Sequence, residues 1–253
     1  MDELSGKSAL VTGGGSGLGR AIAQTFAAAG AGVMIAGRRK EPLEETAAAH
    51  PGRIHCVAGD VTREPDRQRI VAESERALGG LDILVNCAGI LESGTLEGTS
   101  LEAWDRAMDI NVRSVFALTR LALPALLARR GTILNLSSVA GLRPYPGVLA
   151  YCVSKAAVDQ MTRCLAVELA PRGVRVNALN PGVVVTNLHL AGGMGQSDYE
   201  AFLERGKATH PLGRVGQPDD VAAMALFLAS DRASWITGGT FSVDGGRALA
   251  SAR

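Results

Sequence analysis

Ser138, Tyr151 and Lys155 are the residues of this chain whose types and spacing suit chemistry. Tyr151 and Lys155 are four apart, and residues at that spacing share one face of a helix. A phenol beside an ammonium makes a proton donor or acceptor. The positive charge favours tyrosinate and is expected to lower the Tyr151 pKa from about 10. A hydroxyl such as Ser138 can hold a substrate oxygen or share its developing charge. Together the three suit proton transfer to or from an alcohol or carbonyl oxygen. Taken alone, a tyrosine and lysine at this spacing are more often a core-facing ring and a solvated tip, so the surrounding elements decide.

Ser138 follows the apolar run 132–136, which has the form of a buried strand. Pro144, Pro146 and Gly147 then mark a loop, and Tyr151 opens a long helical pattern. At the other end of the chain, a short apolar strand at 8–11 runs into Thr12-Gly-Gly-Gly-Ser-Gly-Leu-Gly19, followed by a helical pattern and a second strand at 32–36. Glycines at 13, 17 and 19, with Ser16 and Leu18 between them, let the backbone approach a pyrophosphate at the helix N-terminus. Placed between strand and helix, this turn predicts a dinucleotide site. An Asp or Glu at the end of the second strand would bind the adenosine ribose 2′-hydroxyl. Gly37 stands there, followed by Arg38, Arg39 and Lys40. Without the carboxylate, a 2′-phosphate is not repelled and the arginines can pair with it. NADP(H) is therefore favoured, with NAD(H) the alternative.

Strands continue at 53–58, 81–85, 174–179 and 240–243, and helices at 64–78, 112–127, 153–169 and 219–229. Thr99 and Glu102 have capping-box spacing for a helix carrying Trp104, Met108 and Ile110 on an apolar face expected to be core. Asp60 is placed to accept from the adenine amino group or to cap the helix that follows. Asn111 falls inside a helical stretch, where its type is disfavoured. The alternation predicts an α/β fold: a single doubly wound, Rossmann-type parallel sheet with helices on both faces. The ligand is expected at the carboxyl ends of the strands, where the glycine turn, Asp60, Asn86 and Ser138 converge.

Composition narrows the function. At 253 residues and 47% hydrophobic, the chain suits one domain spanning 1–253. A formal net charge of +1 with no basic run argues against nucleic acid as the partner. No uncharged apolar run reaches membrane-spanning length, and no secretory leader pattern opens the chain. Cys56, Cys87, Cys152 and Cys164 lack paired spacing and read as reduced thiols, pointing to the cytoplasm. No cluster has metal-ligand spacing, and nothing in sequence pairs with His189.

Over nearly its whole length the chain resembles the short-chain dehydrogenase/reductase family. The resemblance rests on an ordered series: Thr12 to Gly19, Asp60-Val61, Asn86-Cys-Ala-Gly89, Asn111, Ser138, Tyr151-Cys-Val-Ser-Lys155, Asn180-Pro-Gly182, Gly213-Arg-Val-Gly-Gln-Pro-Asp-Asp220 and Val243-Asp-Gly-Gly246. Cys87 departs from it, since the family often has a second Asn there. The resemblance implies that Tyr151 is the catalytic acid/base and that Lys155 lowers its pKa and binds the nicotinamide ribose. Ser138 would polarise the substrate oxygen, and Asn111 would hold a water that links Lys155 to solvent. Asn86, Ala88 and Gly89 would line the cofactor ribose. After Pro181 and Gly182, Val184 and Thr186 would meet the carboxamide. It further implies ketone–alcohol interconversion of a small-molecule substrate, a mobile substrate lid over about 187–211, and a homotetramer or dimer built through the long helix after Tyr151. A 3-oxoacyl-[acyl-carrier-protein] reductase is one such activity, with Arg129, Arg130 and Arg172 as a docking patch or as plain helix-end charges. Arg143 is a candidate for an acidic substrate. A non-catalytic dinucleotide sensor is the competing class, and the joint presence of Asn111, Ser138, Tyr151 and Lys155 argues against it.

Overall fold

Short runs of five or six apolar residues alternate with helical patterns, and runs that apolar persist as strands only when both sheet faces are covered. The computed structural model, which describes residues 3–250, follows that rule. β1 (Ser8–Thr12) leads into α1 (Gly17–Ala28), β2 (Gly32–Gly37), α2 (Lys40–Ala48), β3 (Ile54–Ala58), α3 (Glu64–Leu78) and β4 (Ile83–Asn86). α4 (Leu101–Met108) passes through a π-helical turn (Asp109–Arg113) into α5 (Ser114–Arg129), and β5 (Thr132–Leu136) follows. The short α6 (Val139–Leu142) precedes α7 (Leu149–Leu169) and β6 (Arg175–Pro181). Then come α8 (Leu188–Ala191), α9 (Gln196–Thr209), α10 (Pro218–Ala229) and β7 (Thr240–Val243).

The seven strands form one parallel sheet in the order β3-β2-β1-β4-β5-β6-β7. Successive strand side chains take opposite faces. Ala9 and Val11 of β1 pack with Ile22 and Phe26 of α1 and Ala225 and Leu228 of α10. Leu10, between them, packs on the other side with Ile70 of α3, Leu118 of α5 and Ala166 of α7. The order reverses between β1 and β4, so the loops after these strands diverge and open a crevice at their carboxyl ends.

Several local expectations are corrected. Thr99 does not cap α4: its hydroxyl donates to Thr95 O, while Ser100 caps the helix by accepting from Ala103 N. Trp104, Met108 and Ile110 are half-buried, and only Ala107 of α4 is buried. α7 begins at Leu149, two residues before Tyr151, at which the sequence pattern opens, so Tyr151 lies within its first turn. The continuous helical stretch Leu101–Arg129 is, by length and composition, apolar enough to cross a membrane, although Arg113 and Arg120 interrupt it, so that no uncharged run of that length exists, as expected. Its Val115, Leu118, Ala122 and Leu126 are buried, three of them in the core of the second sheet face.

Candidate active site

The glycine turn is shaped by two close approaches. Gly13 takes φ +70°, a conformation side chains resist, and donates its N–H to Ala36 O at 2.8 Å. A Cβ on Gly19 would stand 2.3 Å from Gly13 O, so the turn folds back onto the first turn of α1 only with glycine there. Ser16 is the N-cap residue but makes no side-chain cap, which leaves first-turn N–H groups for a ligand. Thr12 Oγ1 accepts from Cys87 N and Ala88 N, both at 3.0 Å, and so binds the end of β1 to the loop after β4. Sequence reasoning left Thr12 out, although it opens the glycine motif.

These loops enclose a cleft of about 710 Å³. Gly13, Ser16, Gly17, Leu18, Gly19, Arg38, Arg39, Asp60, Val61, Ala88, Gly89, Tyr151, Lys155 and Thr186 all line it. A larger open groove of about 1020 Å³ shares only Arg38, Asp60, Arg106 and Ile110 with this cleft and runs off along Phe116 and Met161, away from Tyr151. Arg38 and Arg39 are exposed and have no carboxylate partner among the described residues, whereas Lys40 pairs with Glu44 at 3.2 Å. Asp60 does not cap α3, whose N-cap is Arg63. Its Oδ1 instead accepts from Thr62 N and Thr62 Oγ1 at 2.9 and 2.8 Å, which holds the turn beneath the cleft.

Asn86 does not reach the cleft. It is 3% exposed, and its Nδ2 donates to Asn135 Oδ1 at 2.9 Å and Thr119 Oγ1 at 3.1 Å. Asn135 Nδ2 passes the chain on to Thr162 Oγ1 at 2.9 Å. The amide thus belongs to a buried network joining β4, β5, α5 and α7. Pro181, Gly182 and Val184 also fall outside the cleft lining. Gly182 N donates to Val243 O at 3.1 Å, and Val184 is buried in a bridge with Gly216. Thr186 leans over the glycine turn, where a Cβ on Gly17 would meet its Cγ2 at 3.3 Å. The Tyr199 phenol secures it by accepting from Thr186 N at 3.1 Å and donating to Thr186 O at 2.8 Å. Residues missed in sequence include Ile90, Leu91, Ser137 and Leu188, all lining the same cleft; apolar loop residues carry no signal of their own.

Ser138 is the N-cap of α6, with its Oγ accepting from Ala140 N at 3.1 Å. Tyr151 and Lys155 share a face of α7, and the Lys155 ammonium lies 5.6 Å from the Tyr151 ring centroid. Lys155 Nζ donates to Leu136 O at 2.7 Å. The Tyr151 pKa is corrected in direction: burial pushes the phenol up to about 12, with the Ser138 hydroxyl pulling it down. Burial brings Lys155 down to about 8, opposed by Cys87 and Asp159. The Cys87 thiol itself is pushed up to about 12 by burial. Desolvation of the phenol therefore sets the direction of its shift, against the lowering expected from the lysine charge.

Asn111 sits in the π turn and is 1% exposed. Its Oδ1 accepts from Ile90 N at 2.9 Å, and its Nδ2 donates to Ile90 O at 2.9 Å and Ser154 Oγ at 3.0 Å. The side chain is fully engaged in locking the loop after β4 to α7. Arg143 donates to the carbonyls of Arg247, Ala248 and Ala250, tying the loop after Ser138 to the C-terminal segment. Arg129 donates to Gly79 O at 2.8 Å, which matches a helix-end charge. His189 packs on Phe202 at 4.5 Å between ring centroids, and burial holds its pKa below the usual imidazole range.

The family model described as enoyl-(acyl carrier protein) reductase matches residues 13–248. A 3beta-hydroxysteroid dehydrogenase 1 from Eggerthella lenta is 41% identical over 254 residues, covering 98% of this chain and 96% of its own. A short-chain dehydrogenase/reductase of unknown function from Caenorhabditis elegans, solved with cofactor, superimposes with a TM-score of 0.93 at 35% identity, covering 98% of this chain and 97% of the other. The 3-ketoacyl-(acyl-carrier-protein) reductase from Brucella melitensis, solved with NADH, gives 0.89 at 37% identity, covering 97% and 99%.

Proposed function

The chain belongs to the short-chain dehydrogenase/reductase family and is an oxidoreductase of alcohols or ketones, and from that premise we propose that it interconverts a ketone and a secondary alcohol with NADP(H), using Tyr151 as acid/base. The observation that carries the reading is that Tyr151 and Lys155 line the cleft headed by the glycine turn, with the hydroxyl of Ser138, itself outside the lining, beside the Tyr151 phenol. The residues fit a dinucleotide: the turn is held open by glycines that a Cβ would block, and the first turn of α1 offers free N–H groups. Gly37 at the end of β2, with Arg38 and Arg39 on the cleft and without a carboxylate partner among the described residues, supports a 2′-phosphate and hence NADP(H) over NAD(H).

The nicotinamide supplies hydride chemistry when bound. The chain supplies the rest. Ser138 Oγ orients the substrate oxygen. Tyr151, kept neutral by burial, gives that oxygen its proton in reduction and takes it back in oxidation. Lys155 is cationic at neutral pH and stabilises the phenolate that forms, besides holding the nicotinamide ribose. The Asn111 side chain is engaged with Ile90 and Ser154, so the role it has in this reading is to hold the loop after β4 against α7 beside Lys155. Residues 187–211, carrying α8 and α9, form the substrate lid over one domain. Phe116, Val153 and Val167 are exposed on α5 and α7, which supports a homo-oligomer, a tetramer in our reading, across these helices. Four unpaired cysteines support the cytoplasm as its compartment.

A 3-oxoacyl-thioester reductase is the second reading, favoured by the likeness to the Brucella melitensis enzyme. The test is oxidation of NADPH, and separately NADH, against a panel of a 3-oxoacyl thioester, cyclic ketones, diketones and sugars. Turnover with NADPH in preference to NADH is expected. Turnover with NADH alone overturns the cofactor assignment, and a response to the thioester alone selects the second reading.

A further inference from the structure

Asp159 follows Lys155 by one helical turn on the same face of α7 and is 2% exposed. It makes no ion pair among the described residues. Both of its carboxylate oxygens accept from Asn180 Nδ2 at 3.0 Å. The same nitrogen donates to the main-chain oxygen of Ser138 at 2.9 Å. Asn180 is fully buried near the end of β6, and its Oδ1 has no partner. α6 presses on the carboxylate from the other side: a Cβ on Gly141 would stand 2.5 Å from Asp159 Oδ2.

An ionised carboxylate and a carbonyl oxygen are both acceptors only. Turning the Asn180 amide over would set its oxygen against both. The Asp159 carboxylate and the Ser138 carbonyl therefore together set which way Asn180 faces, and the orphaned Oδ1 marks the cost of that orientation. Burial raises the Asp159 pKa, while the Ser137 hydroxyl, Asn180 and the charges of Arg163 and Lys155 oppose the rise. Ser138 is thus held at its carbonyl by Asn180 and at its Oγ by Ala140 N.

We propose that Asp159 and Asn180 are positioning residues, a buried clamp that fixes Ser138 for the substrate oxygen. The proposal rests on the reading of Ser138 given above. It is tested by a double-mutant cycle in kcat, using the carbonyl compound of the panel that the parent reduces fastest. Ser138→Ala should cost about 100-fold and Asp159→Asn about tenfold, since a small displacement of an orienting group is enough for that. Asp159→Asn added to Ser138→Ala should cost nothing further, and the KM for cofactor should stay at the parent value in all three. Losses that multiply would place Asp159's action on Lys155 or on the fold and overturn the clamp. A silent Asp159→Asn beside a crippled Ser138→Ala would overturn the clamp alone. A fully active Ser138→Ala would overturn both it and the assignment of Ser138. A second measurement needs no turnover. In a crystal structure of Asn180→Ala the Ser138 peptide should move by about 1 Å, and an unmoved Ser138 would refute the clamp.

Discussion

Replacing Lys155 by methionine should remove activity without weakening the fold at neutral pH, and the balance should change with pH in a calculable way. The side chains are close in volume, so packing changes little. Burial brings the lysine from 10.5 to about 8, which at neutral pH sets about 3 kcal/mol against the buried ammonium. Its bond to Leu136 O returns about 1–3 kcal/mol. Lys155→Met should therefore be as stable as the parent near pH 7, or up to about 2 kcal/mol more stable. The folded pKa lies below the unfolded one, so the unfolded chain binds more protons between about 8 and 10.5, and the parent gains stability as pH rises through that window. Between about pH 7 and 9.5 the parent should gain about 2 kcal/mol on the variant. Tyr151, raised from 10.0 to about 12, opposes this only at higher pH: its contribution is whole below 10 and is lost towards 12. Urea unfolding of both proteins at the two pH values reads the difference directly. A gap that does not change with pH, or a variant several kcal/mol weaker at neutral pH, would refute the argument.

Two further outcomes are expected. Arg38→Ala should weaken NADPH binding about tenfold or more, the worth of a charge-assisted hydrogen bond, and spare NADH, as followed by fluorescence titration; equal losses would remove the 2′-phosphate argument. Asn86→Ala should cost about 2–4 kcal/mol of stability in urea by breaking the network with Thr119 and Asn135, while the KM for cofactor holds; the reverse pattern would restore Asn86 to the cleft.

What was legible in sequence is what depends on local pattern. α3 and β5 fall on the residues that their patterns mark, because helical periodicity and apolar runs are local properties. The glycine turn, Tyr151 and Lys155 reach one cleft because strand ends in this topology converge. What depends on distant neighbours was not legible. Asn86 ends a strand as expected, yet its partners lie on α5 and β5, and only the register of β4 against β5 turns its amide inward. The apolar stripe of Trp104 and Met108 does not say what covers it, and within one chain little does. The sign of the Tyr151 shift follows from burial, which spacing along a helix does not reveal. Asp159 carries no signal of its own in sequence; its contact with the Ser138 segment arises only because β6 brings Asn180 between them.

The central claim is that Tyr151 moves the proton in a reaction for which the cleft otherwise stays intact. Tyr151→Phe keeps the buried ring and removes only the hydroxyl. Measured as NADPH oxidation with the best substrate of the panel, alongside NADPH affinity, it should lose about 100-fold or more in kcat while binding cofactor as the parent does. Turnover near the parent level, with cofactor binding unchanged, would contradict the mechanism.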